Sequence, residues 1–266
     1  PQAMNQNEAR RYSLIHVHSN IIHSQRAGPG REKIIDMPRA MPIYCETSLN
    51  PLGSFPFEPI NTGTSLAPVL FGALALMYLL RRGESSRVAY ILAILTILTG
   101  LGSIAWHALR TDLTLLLDAL PGVVYVMAIV FFWFYFLGAR YWGLVVLAGF
   151  IAATVLIPSE LRLIKPLVGV LVLVAIAVGL LIATWYRRRP AFKFALPMIG
   201  AGIIAVTLRG LDLRVCETIP FGTHFFWHIF LGIAAYAGVR MIVLLKQEPD
   251  STQPQSAGTP EPERNF

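Results

Sequence analysis

Three histidines, an aspartate and a serine stand out within the apolar part of this chain: Ser103 and His107 in "GSIAWHALR", Asp118 in "LTLLLDALPG", and His224 and His228 in "GTHFFWH". An ionisable side chain inside a bilayer is costly unless it has a partner, so each of these is expected to have a task. Helical positions four apart differ by about 40° around the axis and ~6 Å along it. That stacks His224 on His228 and Ser103 on His107, and the turn "ALRTD" folds the chain back so that Asp118 returns to the depth of Ser103. Three neutral imidazoles suit Zn²⁺, and a site with three protein ligands keeps a fourth position for water, the arrangement of catalytic rather than structural zinc. Asp118 is then expected to take the proton of that water and pass it to a leaving group, with Ser103 orienting the water or donating to a developing oxyanion.

Each piece has a plainer reading on its own. A lone His-x3-His can be an interfacial pair, Asp118 can be the ion-pair partner of Arg110 or Arg209, and Trp106, Trp227 and "FFWFYF" read as lipid-facing or interfacial aromatics. The conjunction favours the metal, because no histidine of the apolar region is left outside the set.

The elements that position these residues are helices. Of the 266 residues, 55% are hydrophobic and only 14% charged, against about 25% charged in an ordinary soluble domain. The apolar residues fall into seven blocks, 62–80, 88–109, 113–137, 141–157, 166–186, 192–209 and 223–245. Blocks of ~17–25 residues cross a ~30 Å hydrocarbon core as helix. A stretch such as "VLVLVAIAVGLLIATWY" is apolar all round, without the alternation of an outer-membrane strand. The expected fold is an all-α, seven-transmembrane helix bundle over 62–246. An external element at 41–61 precedes it, and disordered tails at 1–40 and 247–266 flank it. Met37 or Met41 is a candidate native start.

Lys and Arg gather on cytoplasmic loops. Arg81, Arg82, Arg87, Arg140, Arg187, Arg188, Arg189, Lys193, Arg240 and Lys246 share one side, against Arg110, Arg162, Lys165, Arg209 and Arg214 on the other. The C-terminus is therefore expected in the cytoplasm and the N-terminal segment outside. The net charge of +7 follows from this bias and calls for no nucleic-acid partner. Cys45 and Cys216 both fall on the external, oxidising side, where a Cys45–Cys216 disulfide is expected; two unpaired thiols are the alternative. A retinal Schiff base is excluded, since the seventh span carries no lysine before Lys246 at its inner end. A transporter lacks its paired, broken spans here.

The motifs carry a family likeness. "GSIAWHALRTDLTLLLDALP" resembles the S-x3-H followed eleven residues later by D of the alkaline ceramidase family, and "GTHFFWH" resembles its H-x3-H in the last span. "YCETSLNPLGSFPFEPINTGTSL" is similar to its N-terminal element, especially in the bacterial branch. The likeness spans Ile43 to Lys246. It implies a seven-helix intramembrane zinc amidase that cleaves ceramide to a sphingoid base and a fatty acid, with His107, His224 and His228 as zinc ligands, Asp118 as partner of the metal-bound water and Ser103 as supporting hydroxyl. The implied partner is a membrane lipid, ceramide or another N-acyl lipid, reaching the site from the outer leaflet. The implied location is a bacterial inner membrane with the site facing the periplasm, or an endoplasmic reticulum or Golgi membrane in a eukaryote. Adiponectin-receptor-like proteins belong to the same wider superfamily, so a receptor-like or structural zinc membrane protein is the alternative. Animal members also hold calcium at the N-terminal element. Here Glu46 and Glu58 remain of that pattern, while Ile43, Tyr44 and Ser48 replace its Asp, Trp and Asn. Calcium takes six to eight oxygens, so this set is degenerate. Glu46 and Glu58 are expected to pair with Arg209 or Arg214, and Asn61 to cap the first span or tie it to the site.

Overall fold

A computed structural model describes residues 44–50, 54–156 and 164–247; side chains at 150 and 153–172 lie outside this description. So do the expected tail at 1–40, all of the tail at 247–266 beyond Gln247, and Ile43. Among the described residues there is helix and no strand. The helices are α1 (Pro59–Thr64), α2 (Leu66–Arg81), α3 (Arg87–Leu109), α4 (Asp112–Phe136), α5 (Arg140–Leu156), α6 (Ile164–Arg187), α7 (Arg189–Leu211) and α8 (His224–Lys246), with 3₁₀ turns at Glu46–Ser48 and Asp212–Arg214.

Among the described residues, five stretches are long and apolar enough to cross a membrane: Pro59–Arg81, Arg87–Leu109, Asp112–Phe136, Arg189–Arg214 and His224–Lys246. The first joins α1 to α2 and begins three residues ahead of the block at 62–80. The other two apolar blocks coincide with α5 and α6.

The helix ends near the histidines follow local chemistry. Thr111 caps α4 through a reciprocal box with Thr114: each side chain accepts from the other's backbone N–H, at 3.3 and 3.0 Å. α3 stops where Arg110 turns into the left-handed region at φ 53°. Between them the chain reverses in two residues, so α3 and α4 run side by side.

Helices in lipid gain little from burying apolar surface against one another, so they pack where small residues let backbones approach. α8 is the central helix, packed against α2, α3, α4 and α7, and it buries Gly232, Ala234, Ala235, Ala237 and Gly238. The end away from the histidines is a hydrophobic core that includes Leu79, Leu92, Trp133, Met241, Ile242 and Leu245. The Trp133 indole N–H donates to Thr184 Oγ1 at 2.8 Å, joining α4 to α6. At the histidine end, the expected disulfide between Cys45 and Cys216 is present, with Cα atoms 5.3 Å apart. It fastens the N-terminal element to the α7–α8 connection.

A close helix contact sits beside the chemistry. A Cβ on Gly102 would fall on the carbonyl of Leu117 and the amide of Asp118, so the backbones of α3 and α4 touch one residue away from Ser103. Gly102→Ala is expected to force the helices apart at a cost of about 1–3 kcal/mol. Thermal unfolding should show a clearly lower Tm than Gly200→Ala, whose added methyl meets nothing within 4 Å; equal Tm values would remove this contact as a constraint.

Candidate metal centre

His224 opens α8, and its direction is set from a distance. Thr223 gives that helix no side-chain cap. Asp212, buried at the end of α7, does so instead: Oδ1 accepts the N–H groups of Thr223 (2.7 Å) and His224 (2.8 Å), and Oδ2 accepts that of Cys45 (3.0 Å). Gly222, at φ 70°, supplies the turn, and a Cβ there would collide with the Asp212 carboxylate. One acid thus orients the helix start, the N-terminal element and the first histidine.

The spacing-based expectation for the histidines holds. The ring centroids of His224 and His228 are 4.8 Å apart, and that of His107 lies 5.2 and 4.9 Å from them. One nitrogen from each lies within 4.8 Å of the others, and all three side chains are buried. This trio could hold a metal ion.

Hydrogen-bond partners determine which nitrogens face inward. Thr64 Oγ1 has a single proton and offers it to a carbonyl of its own helix, Ile60 at 2.9 Å or Asn61 at 3.2 Å. It therefore accepts from Nδ1–H of His228, 3.0 Å away, leaving the His228 Nε2 lone pair free. His107 Nδ1 donates to Glu58 Oε2, which frees its Nε2 in the same way. An oxygen partner on the outer nitrogen is how metal-binding imidazoles are held in the right tautomer. Among the described residues the buried His224 Nδ1 has no hydrogen-bond partner. A buried nitrogen with a spare lone pair suits a cation.

Ser103 Oγ lies 3.5 Å from His228 Nε2, accepts from Ser65 Oγ at 3.1 Å, and hydrogen-bonds to the half-buried Asp118 carboxylate. All five residues singled out by spacing thus meet in one place.

The profile of the ceramidase family matches residues 44–259. The chain belongs to the ceramidase family. A search of curated proteins returned no significant match. The match takes in all three imidazoles, Ser103 and Asp118, together with both cysteines and both N-terminal glutamates. A ceramidase-family chain is a hydrolase of amides.

The expected pairing of Glu46 and Glu58 with Arg209 or Arg214 is corrected. Glu58 pairs with Arg110, at 3.2 Å, and with His107. Glu46 accepts the backbone N–H groups of Ile60 (2.6 Å) and Asn61 (2.9 Å), capping α1, while the Arg209 guanidinium lies over Trp227. Arg110 is folded back over its own helix end, which brings its guanidinium to Glu58, while Arg209 stacks on Trp227 instead. Burial acts to raise the Glu58 carboxyl, but the hydrogen bonds from His107 and Thr47 and the Arg110 charge together hold it below the ordinary range. Burial raises Glu46 despite its two backbone donors. Asn61 does tie the first span to the site, its Nδ2 reaching Glu58 Oε2 at 3.4 Å.

Sequence reasoning missed Thr64, Ser65, Asp212 and Tyr44, whose ring stacks on His224 with centroids 3.8 Å apart. The hydroxyl cluster "TGTS" at the head of an apolar span was a usable signal; nothing marked Asp212, and Tyr44 stood out only as a replacement in the calcium pattern. Asp212→Ala would leave three buried N–H groups without an acceptor, each costing about 1–3 kcal/mol. A lower Tm together with reduced metal content in the purified protein is expected, while Glu217→Ala, at an exposed position, leaves both unchanged.

Proposed function

We propose that this chain is a zinc-dependent amidase that hydrolyses the amide of ceramide, or of a related N-acyl lipid, to a sphingoid base or amine and a free fatty acid. The observation that carries the reading is the convergence of three buried imidazoles, two with their outer nitrogens hydrogen-bonded, on a point flanked by a serine and a carboxylate. All-nitrogen donors and the unpartnered His224 Nδ1 suit Zn²⁺. Bound there by His107, His224 and His228, zinc would supply a Lewis acid for the amide carbonyl and bring the pKa of a water toward ~7.

The chain's own groups do the rest. Asp118 receives the proton of the attacking water and returns it to the amide nitrogen as the C–N bond breaks, so that the amine leaves neutral and the acyl carbon ends as a carboxylic acid. Ser103 donates to Asp118 and fixes which carboxylate oxygen faces the imidazoles. Glu58 and Thr64 keep His107 and His228 in the tautomer that leaves Nε2 free.

Access through the bilayer fits the packing. α4 and α7 each rest on α8 without packing closely on each other. Leu117 and Leu120 of α4 and Ile203 and Val206 of α7 are exposed, an apolar opening suited to an acyl chain. We propose seven spans, with α5 and α6 completing the five, the N-terminal element outside and the C-terminus in the cytoplasm. The disulfide at the histidine end supports an oxidising face there. The site then faces the periplasm of a bacterial inner membrane, or the lumen of the endoplasmic reticulum or Golgi in a eukaryote.

Incubating the purified protein with a panel of N-acyl lipids should release free fatty acid. His107→Ala and His228→Ala are expected to lose both zinc and turnover. Asp118→Asn should retain zinc and fall by about 10²-fold or more, the usual worth of acid–base catalysis; a fall of less than tenfold would remove Asp118 from that role. Zinc bound without fatty acid release from any lipid would favour the receptor-like alternative.

A further inference from the structure

Glu46 and Glu58 are buried carboxylates beside the histidines, 1% and 0% exposed, and a calcium ion is what the family pattern places there. Calcium draws six to eight oxygens into its shell. The oxygens here are already taken. Glu46 Oε1 and Oε2 accept the N–H groups of Ile60 and Asn61. Glu58 Oε1 accepts from Thr47 Oγ1 and lies 3.2 Å from Arg110 Nη1 in an ion pair, and its Oε2 accepts from His107 Nδ1 and Asn61 Nδ2. A carboxylate has about four lone-pair positions; three of those of Glu58 hold hydrogen bonds and an arginine cation sits against Oε1. Ser48 Oγ donates to the carbonyl of Cys45 at 2.7 Å. In this set of side chains Asn61 Oδ1 alone is without a donor. The residues do not fit calcium.

We infer that the Arg110 guanidinium stands where a calcium ion would otherwise act: it is a cation built into the chain that fixes Glu58 toward His107, so the metal centre needs no second ion. Arg110 lies three residues beyond His107, and its positive φ of 53° ends α3 in a conformation uncommon for a residue with a side chain. That turn folds the side chain back over its own helix. Its guanidinium sits over the Trp106 ring, 4.2 Å from the centroid, and 5.6 Å from that of Tyr44, with Nη1 on Glu58 Oε1. Tyr44 in turn stacks on His224, so the same cation braces two of the three imidazoles, one through a carboxylate and one through a ring. A planar, permanently charged fork suits a carboxylate flanked by aromatic faces. Arg110 touches no reacting atom and is a positioning residue, acting through Glu58 on His107.

The inference rests on the zinc reading of the triad, but its readouts are metal affinities, so failure to hydrolyse amides would leave it standing. Zinc affinity is measured by competition with a chromogenic chelator, and calcium binding by equilibrium dialysis with radioactive calcium. The wild type is expected to take up no calcium up to about 1 mM, the weak limit of extracellular sites. Arg110→Ala should weaken zinc binding by about 10–100-fold, the usual effect of losing a group behind a metal ligand, and added guanidinium should restore part of it. Glu58→Gln should show a similar loss that guanidinium does not restore. Should Arg110→Ala fail to accumulate, Arg110→Lys and Arg110→Gln decide, with lysine retaining zinc and glutamine losing it. Stoichiometric calcium on the wild type, unchanged zinc affinity in Arg110→Ala, no rescue by guanidinium, or equal affinities in the lysine and glutamine variants would each overturn the assignment.

Discussion

A neutral imidazole presents a lone pair from one nitrogen and a proton from the other, and something that accepts this proton in a hydrogen bond fixes which nitrogen faces a metal. In this chain that something is the short helix α1 and the residue before it. Glu58 accepts from His107 and Thr64 accepts from His228, so the first span does more than cross the bilayer: it sets the tautomers of residues on α3 and α8. The arrangement works because α1 starts against the end of α3, where the N–H of Glu58 donates to the carbonyl of His107 at 3.0 Å and that of Phe57 to Ala108 at 3.2 Å. Backbone and side chain of one glutamate thus address the same histidine.

The histidine end is also where the chain leaves regular helix, and backbone groups released there must find partners away from bulk water. Buried carboxylates supply them. Asp212 takes three N–H groups and Glu46 takes two, and the Cys45–Cys216 bridge ties together the segments that these acids organise. The acids do not simply add negative charge beside a prospective cation. They turn an irregular rim into a rigid mount, and Arg110 offsets the charge of Glu58, which accepts from His107.

The opposite end is built from different material. Alanines and glycines of α8 meet neighbouring helices closely, and Trp133 with Thr184 closes the gap between α4 and α6. A firm base of this kind lets α4 and α7 stay apart from each other while both remain seated on α8.

Much of this was legible in the residues. Long apolar blocks can only be helices in lipid, since each backbone group must be satisfied within its own segment. Positions four apart on such a helix must share a face. Hence Ser103 with His107, His224 with His228, the return of Asp118 through a short turn, and a disulfide between two cysteines flanking the bundle were all within reach of spacing and composition. The partners of Glu46, Glu58 and Asp212 were not. Glu58 had Arg110, Arg209 and Arg214 as chemically equivalent choices, and sequence separation does not rank them; a left-handed residue at the end of α3 and the stacking of Arg209 on Trp227 do. Helix periodicity is a property of neighbours along the chain and so was fixed locally. The choice of an ion-pair or hydrogen-bond partner across 49 or 164 residues, as for Glu58 with His107 and Thr64 with His228, depends on where packed helices end in space, and the folded structure alone decided it.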